Sequence, residues 1–279
     1  MANSKLINNG AIGFRIWRGV FNMMKSPHNH NDIEVNFLLN GWVKYIHGGK
    51  LYEIRANEFT VFWGGIPHSV IDLEEGLTAY WITLPLEWLI KWNIPGPLIE
   101  KILSGAMVHQ NANPVEITQN EISLDLWLKE FQTGAPDYFK NIELELESKF
   151  RRLSQSLQES TTSKTYFDQN IHKPFDELIN YVSQNYLSIK NIEEIGQAMQ
   201  LHPKYLMQMF KKHTNMNLWE YILQLRISHS QRLLITTKDK MIDICFASGF
   251  QSNSSFYYIF EKFNKGISPA KYRKNYLRL

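Results

Sequence analysis

The feature that most constrains this chain is an internal repeat in its C-terminal third. Ile192, Ile195 and Ala198, a break at Leu201-His202-Pro203, and then Tyr205, Leu206 and Phe210 are echoed about fifty residues later. The echo is Met241, Ile244 and Ala247, a break at Gly249-Phe250-Gln251-Ser252, and then Ser255, Phe256 and Phe260. Each copy reads as a short helix, a tight turn and a second helix, with a small alanine where the two must approach. One such hairpin is common in helical bundles. Two with matched apolar spacing predict a tandem helix-turn-helix, and hence an all-α C-terminal half from Pro174 onward.

In such a unit the second helix enters the DNA major groove while its apolar positions hold it to the first. Leu206, Met209 and Phe210 fall on the packing side of copy one, leaving Lys204, Met207, Gln208 and Lys211 open. In copy two Phe256, Ile259 and Phe260 pack, leaving Asn253, Ser254, Tyr257 and Tyr258 outward. Lys, Gln and Asn side chains match guanine and adenine edges. The competing reading has the tyrosines capping the core or touching the other domain. Between the copies, Asn217–Leu234 predicts one helix of about 27 Å, against roughly 34 Å between successive major-groove faces. Double-stranded DNA is the expected partner.

Charge points the same way without deciding the matter. Residues 173–279 carry 15 basic and 8 acidic side chains, a net of +7, and residues 1–172 carry 15 and 19, a net of −4. A basic segment beside a mildly acidic one suits nucleic acid at one end. Scatter over solvated helix faces is the plainer explanation of the same numbers.

The first part has another texture. From Phe14 to Leu84 the runs Ile33–Leu39, Val43–His47, Leu51–Ile54 and Phe59–Trp63 are β-branched and aromatic, and Gly41, Gly48-Gly49, Asn57 and Gly64-Gly65 separate them. Closely spaced short strands predict a small antiparallel barrel or sandwich. After Pro85, Leu86–Trp92, Leu98–Leu103, Gln119–Phe131 and Asn141–Leu157 read as amphipathic helices. The segment 158–173 is Ser/Thr-rich and aperiodic, as a linker is. The one cysteine, Cys245, excludes an internal disulfide. No leader or membrane-spanning run is evident, so a soluble cytoplasmic protein with no membrane partner is expected.

His28-Asn29-His30, with Glu34 four residues further on and Gly41 beyond, is the stretch with chemistry in it. A two-residue period places His28, His30, Asp32, Glu34 and Asn36 on one face and Ile33, Val35, Phe37 and Leu39 on the other. His68 follows the turn proline Pro67 and arrives from a neighbouring strand. Three readings stay open. The first is a metal site of His28, His30, Glu34 and His68, a mixed N/O set for Mn, Fe, Ni or Zn. The second is a sugar or other polar-ligand site using His28, His30, Glu34, Asn36 and His68, with Trp63 or Trp81 as an apolar face. The third is a set of satisfied polar residues at a barrel rim.

Phe175–Asn275 resembles the DNA-binding domain of the AraC/XylS transcription regulators. The resemblance rests on Ile244, Ala247, Gly249, Phe250, Ser252, Phe256 and Phe260, on Gly266, Ser268, Pro269, Tyr272 and Arg273, and on Arg226 with Leu233-Leu234. It implies base or backbone contacts at the eight open-side residues named above. The arginine common in each recognition helix is Gln208 in one and Tyr258 in the other, and Asn215 stands where glycine is usual. His-x-His-x3-Glu-x6-Gly with Pro67-His68 resembles the two motifs of the cupin barrel, a sensor module in these regulators, although Asn57 replaces the glycine that opens the second. Glu34-Val35-Asn36, Thr60-Val61-Phe62-Trp63 and Leu84-Pro85 are similar to sugar-responsive members that act on α-galactoside use.

The expected architecture is α+β in two domains. A cupin-like antiparallel barrel (1–85) is followed by helices that serve dimerisation (86–160), a linker (161–173) and a double helix-turn-helix domain (174–279). The expected function is a ligand-controlled activator of carbohydrate-use genes. Its partners are DNA, a sugar effector, RNA polymerase and a second copy, and it has no catalytic residues and no cofactor. The rival is a metal-dependent cupin isomerase or dioxygenase fused to a DNA-binding domain.

Overall fold

A computed structural model of the chain describes residues 13–24, 26–110, 112–159 and 173–276. Eight strands lead: β1 (Arg15–Val20), β2 (Asp32–Leu38), β3 (Trp42–His47), β4 (Lys50–Arg55), β5 (Phe59–Trp63), β6 (His68–Leu73), β7 (Thr78–Pro85) and β8 (Val108–Gln110). They form two antiparallel sheets, β1-β7-β2-β5-β8 and β4-β3-β6. Every residue of β2 is buried, so its polar/apolar alternation sorts side chains between two interiors rather than between core and water. Ile33, Val35 and Phe37 join a core with the flanking helices. The opposite face shares the space between the sheets with Leu38, Val43, Tyr45, Tyr52, Ile54, Phe62 and Val70.

β8 lies beyond the expected end of the barrel at residue 85. It is three residues long, follows the second helix, and pairs with the free edge of β5. A strand that short carries no periodicity of its own, and only the open edge beside it explains its conformation. Asn57 takes the left-handed conformation in the β4–β5 turn (φ 71°), which asparagine adopts more readily than other residues with a Cβ.

Helices α1 (Leu86–Trp92), α2 (Leu98–Leu103), α3 (Pro114–Thr133) and α4 (Tyr138–Glu159) cover the five-stranded sheet. α3 starts five residues before the expected Gln119. Asn113 caps it, accepting from Val115 and Glu116, while the Glu116 side chain accepts from the Asn113 N–H, and Pro114 occupies the first helical position. Trp88, Trp92, Leu124, Trp127, Ile142, Leu146 and Phe150 fill the space beneath.

The remaining elements are helical: α5 (Lys173–Asn185), α6 (Ile192–Met199), α7 (Pro203–Thr214), α8 (Leu218–Thr236), α9 (Met241–Ala247), α10 (Asn253–Phe263) and α11 (Pro269–Tyr276). The repeat is thus α6–α7 and α9–α10, joined by α8. Asn191, Asn217 and Ser252 cap α6, α8 and α10 by accepting from backbone N–H groups of the first turn. Asn215 ends α7 in the left-handed conformation, where the family pattern has glycine. Of the expected linker 161–173, all but Lys173 lies outside the described residues. Among the described residues, no helix is long and apolar enough to cross a membrane.

The helical half packs on the barrel. Ile46 shares a core with Phe175, Leu178, Phe210, Tyr221 and Ile222, and Leu51 and Ile71 pack against it. At the tip of the β3–β4 hairpin, Gly49 (φ 77°) comes so close to α5 that an added Cβ would lie 2.6 Å from that of Ser183. Glycine is required there both for its conformation and for the close approach.

Candidate ligand cluster and nucleic-acid interface

The barrel brings His28, His30, Glu34 and His68 together at one end, with one donor atom from each lying within 4.8 Å of the others. Different elements deliver them. His28 and His68 exchange two backbone hydrogen bonds of 3.0 Å, in a bridge that extends β6. The His30 N–H donates to the Gly64 carbonyl at 2.8 Å, and its ring lies against the Gly64 Cα, where a side chain would collide with it. Glu34 sits in mid-β2, opposite Phe62 and Thr83. Three of the four are buried, and His28 is exposed.

Glu34 Oε1 is the hub, 2.5 Å from His30 Nε2 and 3.1 Å from His68 Nε2. Behind the rings, His68 Nδ1 lies 2.8 Å from the Ile66 carbonyl oxygen, and His30 Nδ1 lies 3.4 Å from Asp32 Oδ2. A carbonyl only accepts, so His68 Nδ1 carries a proton and its Nε2 faces the cluster. Burial opposes the charge on Glu34, but the imidazoles of His68 and His30 outweigh it and hold the carboxyl well below its usual range. Burial likewise works against a charged His30, yet hydrogen bonds to Asp32 and Glu34 lift it to about 9. His28 reaches the surface at one edge, yet the protein packed around the rest of its ring keeps water from it and pushes it down to about 4, with His68 adding to the effect. The result is a buried anion between imidazoles whose outer nitrogens are already held. Such outer contacts orient metal-ligating imidazoles, and the three N and one O donors suit a borderline divalent ion.

Asn36 continues the row inward, opposite Thr60 and Trp81, with the Tyr45 hydroxyl beside its amide. Trp81 stacks on Trp17 (centroids 5.8 Å apart, planes 14°) and meets Phe21 at 4.4 Å. Trp63 does not join this row. Register pairs it with Ile33, which turns its indole to the outer core and over Gly65. Two further buried residues share this interior, and the sequence motifs do not include them. His47 pairs with His68 across β3–β6, its ring 6.2 Å away, and burial first and then the neighbouring His68 push it down to about 3. Tyr45, two residues before, has a buried hydroxyl that burial pushes well above the usual phenol range, against the pull of its contacts with Trp81 and Asn36. The alternation Val43-Tyr45-His47 was the available signal.

In the helical half, Leu206, Met209 and Phe210 are buried on α7, and Lys204, Met207, Gln208 and Lys211 are exposed on its other side. On α10, Phe256 and Phe260 are buried, while Asn253, Ser254 and Tyr258 are exposed, Tyr258 by 70%. Tyr257 is half-buried and packs against the core, so it divides between the two roles open to it. Arg226 ties α8 to the turn between α5 and α6. Its guanidinium donates to the Tyr186 carbonyl at 2.7 Å and to that of Ile189, and it lies over the Trp219 ring.

Residues 195–275 match the helix-turn-helix domain family. The chain is 26% identical over 263 residues to the melibiose operon regulatory protein of Escherichia coli K12, covering 90% of this chain and 84% of that one. It is 31% identical over 118 residues to the Msm operon regulatory protein of Streptococcus mutans, covering 42% and 40%. Crystalline apo ToxT from Vibrio cholerae aligns with a TM-score of 0.40 at 14% identity, over 96% of this chain and 99% of that one. The helical half is an AraC-type helix-turn-helix domain, and the chain is a homologue of the transcription regulators that carry it. Among them, the melibiose operon regulator is similar to it along nine tenths of its length.

Proposed function

We infer that the chain is a sequence-specific DNA-binding regulator, an activator of carbohydrate-use genes. Its cupin-like barrel (1–160, with helices 86–160 serving dimerisation) senses a sugar, and residues 174–279 read DNA. The observation that carries this is the pairing of two recognition helices, open on their polar sides, with a barrel whose buried polar row runs from His30 through Glu34 to Asn36. The similarity to a melibiose operon regulator supports an α-galactoside as effector. Aromatic faces at Trp81 and Trp17 suit the apolar side of a sugar ring, and Glu34 and Asn36 suit its hydroxyls. A protein of this kind works in the cytoplasm beside RNA polymerase.

Melibiose held at about a hundred times its Kd is expected to add roughly 2.7 kcal/mol to folding stability, measured by chemical denaturation. His30→Ala and Glu34→Ala should each abolish that gain. Full retention in both variants would remove the cluster from the effector site.

A second reading has a specific observation behind it: the outer nitrogens of His30 and His68 are held by Asp32 and the Ile66 carbonyl, as in metal centres. His28, His30, Glu34 and His68 would hold the ion, which would supply Lewis acidity to a bound ligand, as in a cupin isomerase or dioxygenase. This reading predicts about one equivalent of co-purified metal and a melting temperature lowered by chelator. Metal-free protein that responds fully to sugar would dismiss it.

A further inference from the structure

The buried anchors of the two recognition helices correspond, Leu206 with Phe256 and Phe210 with Phe260, so their open faces match residue by residue. Residues three and four apart share a helix face. The stripe opposite the anchors is Lys204, Gln208 and Lys211 on α7, and its counterpart on α10 is Ser254, Tyr258 and Glu261. Five of the six are exposed, and Glu261 is half-buried. The first stripe carries two cations and the second one anion, so equivalent faces differ by three charges. Lys212 and Lys262 are alike in both helices and do not separate them.

Helix stability gives no account of this acid. Glu261 lies in the last turn of α10, where the helix dipole disfavours an anion, whereas the last turn of α7 holds Lys211, Lys212 and His213. Among the described residues no ion pair holds the Glu261 carboxylate. On a helix that faces the groove, a carboxylate has two effects. The phosphates of any duplex repel it, which lowers affinity for DNA of every sequence. It also only accepts hydrogen bonds, so it tolerates a base edge that offers an amino group and rejects one that offers oxygen. Cytosine N4 is such a donor in the major groove, whereas guanine O6 and thymine O4 are acceptors. Tyr258, one turn earlier on the stripe, brings a ring suited to the thymine methyl group.

We propose that Glu261 is a specificity-determining residue of the second reading helix, one that lowers affinity for DNA at large and is compensated only where a cytosine amino group meets it. The α7 helix, through Lys204 and Lys211, supplies the charge-driven grip, and α10 selects by penalising wrong sequences. The proposal deepens the DNA-binding reading and rests on it.

Fluorescence anisotropy with the full chain and a random-sequence duplex reads the first effect. Glu261→Gln keeps the side-chain volume and removes the charge. It is expected to bind random DNA about three- to tenfold more tightly at low salt, the gain fading above roughly 0.1 M as screening sets in. Loss of an ordinary DNA contact weakens binding, so the sign of the change distinguishes this role. Selection of bound sequences from a randomised pool reads the second effect. At one position under α10, wild type should enrich cytosine and Glu261→Gln adenine, since glutamine pairs with adenine N6 and N7. Ser254→Ala should leave that position as in wild type. Thermal unfolding verifies that the variants are folded, and Glu261→Ala repeats the affinity measurement if Glu261→Gln is not. Unchanged or weaker binding of random DNA by the charge-free variants would overturn the proposal, as would identical selected sequences. Lys204→Ala combined with Lys211→Ala, measured alongside, tests the reading beneath it. Absence of binding to any duplex at low salt by wild type removes that reading. A weakened lysine variant beside a Glu261→Gln protein that matches wild type removes only the role of Glu261.

Discussion

Replacing Gly249 by alanine is expected to destabilise the protein on the order of 4 kcal/mol, among the larger effects a single methyl can have. Two causes add. Gly249 has φ 79°, a left-handed conformation that disfavours a Cβ by roughly 1–2 kcal/mol. The new Cβ would also strike the Leu187 carbonyl oxygen and lie 3.0 Å from Arg226 Nε. Neither neighbour yields easily, because the guanidinium is fixed by the Tyr186 and Ile189 carbonyls. Gly249 is the turn of the second repeat, whereas Leu187 lies in the turn between α5 and α6, so the collision forces the second repeat away from that turn. Arg226→Ala should approach the same loss by the opposite route, leaving two carbonyls without their charged donor. Urea denaturation of wild type and both variants checks the pair. A Gly249→Ala protein within 1 kcal/mol of wild type would mean that the turn relaxes freely.

Lys204→Ala combined with Lys211→Ala is expected to weaken DNA binding on the order of a hundredfold at low salt and to lower the salt slope by about 2. Both ammonium groups stand on the exposed side of α7, where phosphate contact releases one counterion each. Random and promoter DNA should lose affinity alike, since backbone contacts carry no sequence information. Asn253→Ala should do the reverse, costing roughly 1–3 kcal/mol on a specific site and little on random DNA. Tyr257→Ala should show itself in stability as well, because that ring is half-buried against Phe256. Fluorescence anisotropy at several salt concentrations reads all three. A double-lysine variant with an unchanged slope would take α7 off the DNA backbone.

The helical half was legible because helix signals are local. Apolar spacing, the capping residues Asn191, Asn217 and Ser252, and the left-handed stops at Asn215 and Gly249 all lie within a turn of what they control. The repeat then supplied a second reading of the same pattern. The barrel site was half legible. Spacings of two and four place His28, His30 and Glu34 on one face whatever they pair with. Whether a residue on another strand shares that face depends on register, which no single strand reveals. Strand alternation alone offers Trp63 to the pocket, but it opposes Ile33, while its neighbour Phe62 opposes Glu34. One position decides inside from outside. Tyr45 and His47 carry no signal of their own for the same reason: their side is set by pairing with β6. The seating of the helical half on the barrel depends on tertiary contacts between Ile46, Tyr221 and Phe210, for which sequence periodicity gives no sign.

The seat at Gly49 bears on how such a protein could be recombined. The hairpin tip has no side chain, and Ser183 of α5 occupies the space one would need. Barrel and helical half are therefore complementary castings rather than beads on a string. A chimera grafting a foreign reading head onto this barrel inherits a geometric lock: the residue facing Gly49 must be small. A donor with a bulky residue at the position of Ser183 would leave both parts folded but unseated.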